Sequence, residues 1–252
     1  MSRDTDDFMN KTVLISALAA LAFAQPAVAA PGVGSKVYGA TVEKGVTEVE
    51  VRYGRLSGGP ASGADGLVLE LAHGFSDRFY GALLAEFGRE PGANRKLEAF
   101  AVEGIFTLGR IDALGLDTAL YAEYEAVRGG PDAIETKLLL QHKRGPFDGR
   151  LNLKAAKPLD GGAPVEFGYA ASADWAVIGE FRLGAAAFGD LGTSRNLTTR
   201  AAHFAGPIVK TEIEHLGPGE LGIETGYLFA LGRARDATDG QFRLLLEYEF
   251  RF

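Results

Sequence analysis

The chain has 252 residues, enough for one large domain or one membrane barrel. It contains no cysteine, which excludes a disulfide framework and a thiolate metal site. The formal net charge is −7 and the lysines and arginines are scattered, so no nucleic-acid surface is expected. Thirty-four glycines and 10% aromatic residues favour a β-rich chain with many turns over a helical bundle.

The N-terminal residues have the pattern of a secretory signal. Residues 13–24 are an apolar run, Gln25-Pro26 interrupts it, and residues 27–29 read Ala-Val-Ala, which a signal peptidase accepts. We predict a signal peptide over residues 1–29, with Met9 as the alternative start because the residues before it are acidic. The competing interpretation of this region is a buried N-terminal helix.

Beyond the signal, the apolar pattern has the period of two that is typical of β-strands. No later run approaches the roughly 18 apolar residues of a transmembrane helix. Residues 30–45 are assigned to a periplasmic N-terminal segment and residues 46–252 to the strands. Twelve strands are predicted, over residues 47–53, 66–75, 79–87, 96–108, 116–127, 134–143, 147–156, 165–171, 175–187, 203–216, 220–231 and 241–252.

The last predicted strand has the clearest alternation. One face carries Phe242, Leu244, Leu246, Tyr248, Phe250 and Phe252, and the other carries Arg243, Leu245, Glu247, Glu249 and Arg251. Aromatic residues continue along the apolar face to the terminus, as on a lipid-facing strand with an aromatic girdle.

The predicted connections alternate between long and short. The longer ones are residues 58–65, 89–95, 128–132, 157–163, 190–199 and 232–239. The shorter ones are 76–78, 109–115, 144–146, 172–174 and 217–219. Short periplasmic turns that alternate with longer outer loops are the topology of a transmembrane barrel. The sequence therefore predicts an all-β fold, a transmembrane antiparallel up-and-down β-barrel of about 12 strands.

The final strand also resembles known proteins. Residues 247–252, Glu-Tyr-Glu-Phe-Arg-Phe, resemble the C-terminal signal of Gram-negative outer-membrane proteins. That resemblance implies that the barrel-assembly machinery reads Tyr248, Phe250 and Phe252, and that the protein lies among outer-membrane lipids. Residues 226–229 and 241–248 resemble outer-membrane proteins of the phenol meta-pathway transporter type, which implies a solute channel.

Charged residues at alternate strand positions are expected to face the lumen. A charged side chain facing lipid costs about 2–4 kcal/mol for Arg or Lys at mid-bilayer. The predicted lumenal set is Glu48, Glu50, Arg52, Glu70, Glu123, Glu125, Glu135, Lys137, Lys154, Glu180, Arg182, Lys210, Glu212, Glu214, Glu224, Arg243, Glu247, Glu249 and Arg251. These residues either line a narrow water-filled path or pair across neighbouring strands and fill the lumen. Their acidic excess favours cations as solutes.

Other functions have less support in the sequence. A lipid-modifying barrel enzyme needs a serine beside a histidine, and no His-x-Ser spacing places the two on one strand face. The four histidines are dispersed, so no metal or cofactor is predicted. A soluble periplasmic β-domain that binds a ligand remains an alternative, as does a non-conducting structural barrel. The prediction is a monomeric outer-membrane channel or transporter for small solutes, and not an enzyme.

Overall fold

The computed structural model describes residues 33–197 and 201–251, and the predicted signal peptide and Phe252 lie outside this part of the chain. The described residues are almost entirely β-structure, with one 3₁₀ turn at Arg233–Asp236. The strands are β1 Val46–Ser57, β2 Asp65–Ser76, β3 Phe79–Arg89, β4 Lys96–Ile111, β5 Leu116–Val127, β6 Ala133–Arg144, β7 Phe147–Pro158, β8 Glu166–Ile178, β9 Phe181–Thr193, β10 Asn196–Leu197, β11 Ala202–Leu216, β12 Gly219–Gly232 and β13 Gly240–Arg251. In these two ranges no helix has the length and apolarity needed to cross a membrane.

The sheet closes on itself. Strand β1 pairs with β2 on one side and with β13 on the other, in register from Val46 opposite Arg251 to Ser57 opposite Gly240. Every neighbouring pair is antiparallel, and the pairing of β8 with β9 completes the ring. The result is a twelve-stranded barrel, with β10 as a short extra strand on β9. The predicted fold class and strand number are confirmed.

The connections alternate in length between the two ends of the barrel. The turns at one end are residues 77–78, 112–115, 145–146, 179–180 and 217–218, and β1 begins and β13 ends at this end. The other end carries residues 58–64, 90–95, 128–132, 159–165 and 233–239. Following the usual topology of membrane barrels, we call the short-turn end the periplasmic end and the opposite end the outer end.

One predicted turn was wrong. Residues 172–174 lie within β8, and the chain reverses instead at Gly179, whose φ is 51°. Ser-Ala-Asp has the composition of a turn, but Ser172 and Asp174 are buried on the inner face of the strand. Asp174 forms ion pairs there with Lys210 and Arg182.

The two faces of the wall differ as the alternation predicts. Large apolar residues, among them Leu71, Leu83 and Phe100, are more than half exposed on the outer face. Trp175 lies on that face near the periplasmic end, with its ring 6.3 Å from that of Phe147. In β13, Phe242 faces outward while Arg243 is buried inside.

Residues 33–44, which belong to the described part of the predicted periplasmic segment, lie in the barrel instead of in the periplasm. We call residues 33–44 the lumenal segment. The segment starts in the lumen at Val33, which lies against Gly54 and Gly66. It ends at the periplasmic end, where the N–H of the next residue, Gly45, donates to the carbonyl of Gly74. The interior of a barrel of about eight strands is filled by its own side chains. Twelve strands enclose more space, and this segment occupies it.

The wall is shaped to accept the lumenal segment. A Cβ atom on Gly74 would lie 1.9 Å from the carbonyl oxygen of Glu43, and one on Gly54 would lie 3.1 Å from the nitrogen of Gly34. Neither wall glycine has a positive φ, so close approach of the segment, and not backbone strain, is what requires glycine there.

Candidate functional site

The polar backbone of the lumenal segment is held by side chains of the wall. Asn152 accepts a hydrogen bond from the N–H of Tyr38 at 2.8 Å and donates one to its carbonyl at 3.0 Å. Gln141 accepts from the N–H of Ala40 at 3.0 Å. Because a buried peptide group without a partner is costly, these wall amides determine where the segment can lie.

The ammonium of Lys36 lies among four carboxylates, which we call the lysine seat: Glu48, Glu50, Glu70 and Glu247. The distance from Nζ is 2.9 Å to Glu48, 2.8 Å to Glu50, 3.4 Å to Glu247 and 3.8 Å to Glu70. Glu50 and Glu70 are fully buried. Four acidic groups from β1, β2 and β13 therefore meet one cation from the lumenal segment.

Arg52 neutralises the other side of the seat. Its Nε lies 2.9 Å from Glu50 and one of its terminal nitrogens lies 2.5 Å from Glu70. The hydroxyl of Tyr80 donates to the second oxygen of Glu70 at 2.5 Å. Desolvation of these groups is costly, so the pairing of each carboxylate is a condition for burying it.

A second polar group surrounds Tyr38. The hydroxyls of Tyr38 and Tyr121 each donate to Glu103 at 2.8 Å. The ammonium of Lys137 lies 3.7 Å from the ring centre of Tyr121 and 4.4 Å from that of Tyr38, which is cation–π geometry. Glu135 then links Lys137 to Lys154 through contacts of 2.9 and 2.8 Å.

A third polar group lies on the wall formed by β8, β9, β11, β12 and β13. Lys210 contacts Asp174 at 2.8 Å and Glu224 at 3.5 Å, and Arg243 contacts Glu224 at 3.0 Å. Arg182 also pairs with Asp174. Arg243 in addition donates to the carbonyl of Ser35, so this group too contacts the lumenal segment.

The outer half of the lumen is apolar on the wall formed by β9, β11 and β12. The apolar cluster consists of Val37, Leu56, Ala186, Phe188, Phe204, Ile208, Leu228, Ala230 and Ala234. Val37 comes from the lumenal segment and Ala234 from the 3₁₀ turn of the last outer loop. The sequence predicted a charged lumen, and in the outer half this part of the wall is apolar instead.

Most of the predicted lumenal residues do face inward. Glu48, Glu50, Arg52, Glu70 and Glu247 lie at the lysine seat, Glu123, Glu135, Lys137 and Lys154 lie around the tyrosines, and Arg182, Lys210, Glu224 and Arg243 lie in the third polar group. Glu125, Glu212 and Glu249 occupy inward positions of β5, β11 and β13. Arg251 ends the inner row and pairs with Glu43.

Two predicted lumenal residues are not in the lumen. Glu180 is exposed in the turn between β8 and β9, because β8 continues to Ile178 and β9 begins only at Phe181. Glu214 is exposed beside His215, which has a φ of 58° next to the turn that follows β11.

No sequence pattern indicated Lys36 and Tyr38 as site residues, because the segment that carries them has no strand periodicity. A signal was present elsewhere. Several strands carry apolar residues at inward positions as well, such as Leu139, Ile208 and Leu228, which are fully or almost fully buried. Apolar residues on both faces of a strand indicate that something covers the inner face as well as the outer one.

Two clusters, each of three glutamates, have carboxylate oxygens close enough together to bind a metal ion. In the described ranges these are Glu48 with Glu50 and Glu70, and Glu48 with Glu247 and Glu249, with oxygens within 4.8 Å of one another. The ammonium of Lys36 contacts four of these five residues. That cation therefore serves as their common partner in this conformation.

The closed barrel, its apolar outer face and its charged inner groups give this chain the fold of outer-membrane β-barrel channels. Among solved structures, the chain is similar to the NanC porin, with a TM-score of 0.57 and 11% identity over 81% of this chain and all of that one. The COG4313 outer membrane channel from Pseudomonas putida F1 gives a TM-score of 0.57 and 14% identity over 88% and 99% of the two chains. The KdgM porin in complex with disordered oligogalacturonate gives 0.55 and 10% over 81% and 99%.

These similarities concern the fold alone, because the identities are low. No protein-family model and no curated protein sequence matches the chain. The resemblance to the phenol meta-pathway transporter type therefore stays a prediction.

Proposed function

We propose that the protein is an outer-membrane channel for small solutes, with a path through the lumen that residues 33–44 occupy in the closed state. The fold supports a channel, since the similar solved structures are named as porins and a channel. The proposal includes export by the predicted signal peptide, assembly by the barrel-assembly machinery and a monomeric barrel among outer-membrane lipids.

The observation that carries the proposal is the way the lumen is filled. The lumenal segment is not a strand of the wall, and it is held mainly by side chains such as Asn152, Gln141 and Arg243. Because no residue of the segment takes part in the strand ladder, moving it breaks no ladder hydrogen bond of the twelve-stranded ring. The space then opened is lined by charged groups, as in water-filled channels.

A non-conducting structural barrel is the second candidate. The ion pairs of the lysine seat and the apolar cluster around Val37 favour it, because they hold the segment by buried contacts on two sides. The two candidates differ in whether the segment leaves the lumen under any condition. No enzyme function is proposed: His73, His142 and His203 contact Thr47, Gly115 and Tyr169, respectively.

Gly74→Ala tests the channel directly. Its methyl group would overlap the carbonyl of Glu43, so the lumenal segment has to move while the strand itself accepts alanine. We expect a conductance at least several-fold above that of the unchanged chain in planar bilayers. The matched control is Gly222→Ala, an inner-wall glycine where a Cβ would lie 3.7 Å from its nearest neighbour.

Assembly of both variants is checked by electrophoretic mobility with and without heating in SDS. A chain that lacks residues 33–44 provides the upper limit of the conductance. If that shortened barrel assembles and still passes no current, the channel proposal is wrong and the structural barrel is favoured.

A further inference from the structure

The lysine seat satisfies every hydrogen-bond donor of an ammonium group. A lysine ammonium has three N–H donors. In the seat the nearest oxygens of Glu48, Glu50 and Glu247 lie 2.8–3.4 Å from Nζ, one for each donor, and Glu70 adds charge at 3.8 Å. These are hydrogen-bond lengths, longer than the 2.0–2.6 Å at which oxygens contact Mg²⁺ or Ca²⁺.

The cation in the seat does not belong to the wall. The carboxylates lie on β1, β2 and β13, whereas Lys36 lies on the lumenal segment. Without Lys36, the four acidic groups of the seat would keep Arg52 as their close partner, through Glu50 and Glu70. Like charges that are partly desolvated repel one another strongly. A vacated seat therefore attracts a replacement cation.

The surroundings of the seat indicate which kind of cation fits. Val37, the neighbour of Lys36, belongs to the apolar cluster on the adjoining wall, together with Phe188, Phe204 and Leu228. The lumen thus binds a cationic group at the seat and an apolar group on the wall beside it. A small solute with a primary ammonium and an alkyl body presents the same two features.

We infer that the lysine seat is a recognition site for primary alkylammonium solutes, which compete with Lys36 and thereby release the lumenal segment. This inference rests on the proposed channel and names the class of solute it would take. Lys36 acts as an internal ligand. Its attachment next to β1 gives it a high effective concentration, so a solute binds only in the fraction of molecules in which the seat is free.

The test measures binding of n-butylammonium to the purified full chain by titration calorimetry. Lys36→Met keeps the length of the side chain and removes its charge, so the seat is free. We expect an affinity at least about tenfold above that of the unchanged chain, because the binding-competent fraction rises toward one. Lys44→Met is the matched control, since Lys44 is an exposed lysine of the same segment.

Specificity is tested on the same variant. Adding Glu50→Gln to Lys36→Met should reduce butylammonium binding to background. Tetramethylammonium carries the same charge without N–H donors and should bind at least tenfold more weakly. Three results would each overturn the inference. Lys36→Met and Lys44→Met could bind butylammonium with equal affinity, tetramethylammonium could bind as tightly as butylammonium, or Mg²⁺ could bind in place of butylammonium.

A second measurement does not depend on Lys36→Met being assembled. In planar bilayers, butylammonium should increase the conductance of the unchanged chain and leave that of Glu50→Gln unaltered; if the chain lacking residues 33–44 conducts, no increase with the unchanged chain contradicts the inference. The two proposals fail separately. Calorimetric binding with no conductance in any variant refutes the channel alone, and conductance without binding refutes the ammonium site alone.

Discussion

Lys36 and Val37 are adjacent in the chain and are buried against two adjoining parts of the barrel wall, one charged and one apolar. Lys36 is held by carboxylates at defined distances, whereas Val37 lies in a cluster of aliphatic and aromatic side chains. The charged side is directional, and loss of one partner leaves another charge buried. The apolar side is not directional, and its contribution follows the area removed from water. We therefore expect truncation of a side chain to lower the unfolding free energy more on the charged side than on the apolar side.

The largest effect is expected at Arg52. Arg52→Met removes a cationic partner that Glu50 and Glu70 share, and both carboxylates are fully buried. Breaking a buried pair in this way costs about 3–5 kcal/mol of unfolding free energy. The measurement is urea unfolding in lipid vesicles, followed by the fluorescence of Trp175, the single tryptophan of the chain.

The control for Arg52→Met is Arg55→Met on the same strand, where the arginine is exposed. That change should alter the unfolding free energy by no more than about 0.5 kcal/mol. A similar loss for both arginines would show that burial of the seat is not what makes Arg52 important.

A smaller effect is expected on the apolar side. Val37→Ala removes the equivalent of two methylenes from the cluster, which at about 0.8 kcal/mol each lowers the unfolding free energy by about 1.5 kcal/mol. The same urea experiment measures it, with Thr41→Ala, at an exposed position of the segment, as the control. A loss equal to that of Arg52→Met would remove the distinction between the two walls.

The smallest effect is expected at the periplasmic end, where the segment leaves the lumen. Glu43 and Arg251 form an ion pair with side chains 72% and 60% exposed. Water and salt screen such pairs, so Glu43→Gln should cost less than about 1 kcal/mol. The difference from the unchanged chain should shrink further between 0.05 and about 0.5 M NaCl. A larger loss of unfolding free energy that does not depend on salt would contradict the interpretation of this pair as a solvent-exposed one.

The alternation of the strands made the fold predictable. In β13, Phe242 and Arg243 were assigned to the correct faces, because side chains of a strand alternate whatever the strand pairs with. Local composition was a poorer guide to turns. Ser172 and Asp174 read as a turn, yet they lie inside β8, and this error also misplaced Glu180.

The candidate site was predictable only in part. The carboxylates of the lysine seat lie on strands, so period two placed Glu50 and Glu70 in the lumen. Lys36 and Tyr38 lie on a segment with no repeating pattern, and their partners are far away in sequence. The hydrogen bond between Tyr38 and Asn152 joins residues that no local rule relates.

The sequence by itself therefore determined the antiparallel barrel, the number of strands and which strand faces are apolar. Each of these depends on alternation within a strand and on the cost of a charge facing lipid. Only the tertiary structure decided what fills the lumen, because closure of twelve strands sets the width of the interior. It is this closure that brings Lys36 to four carboxylates from three strands.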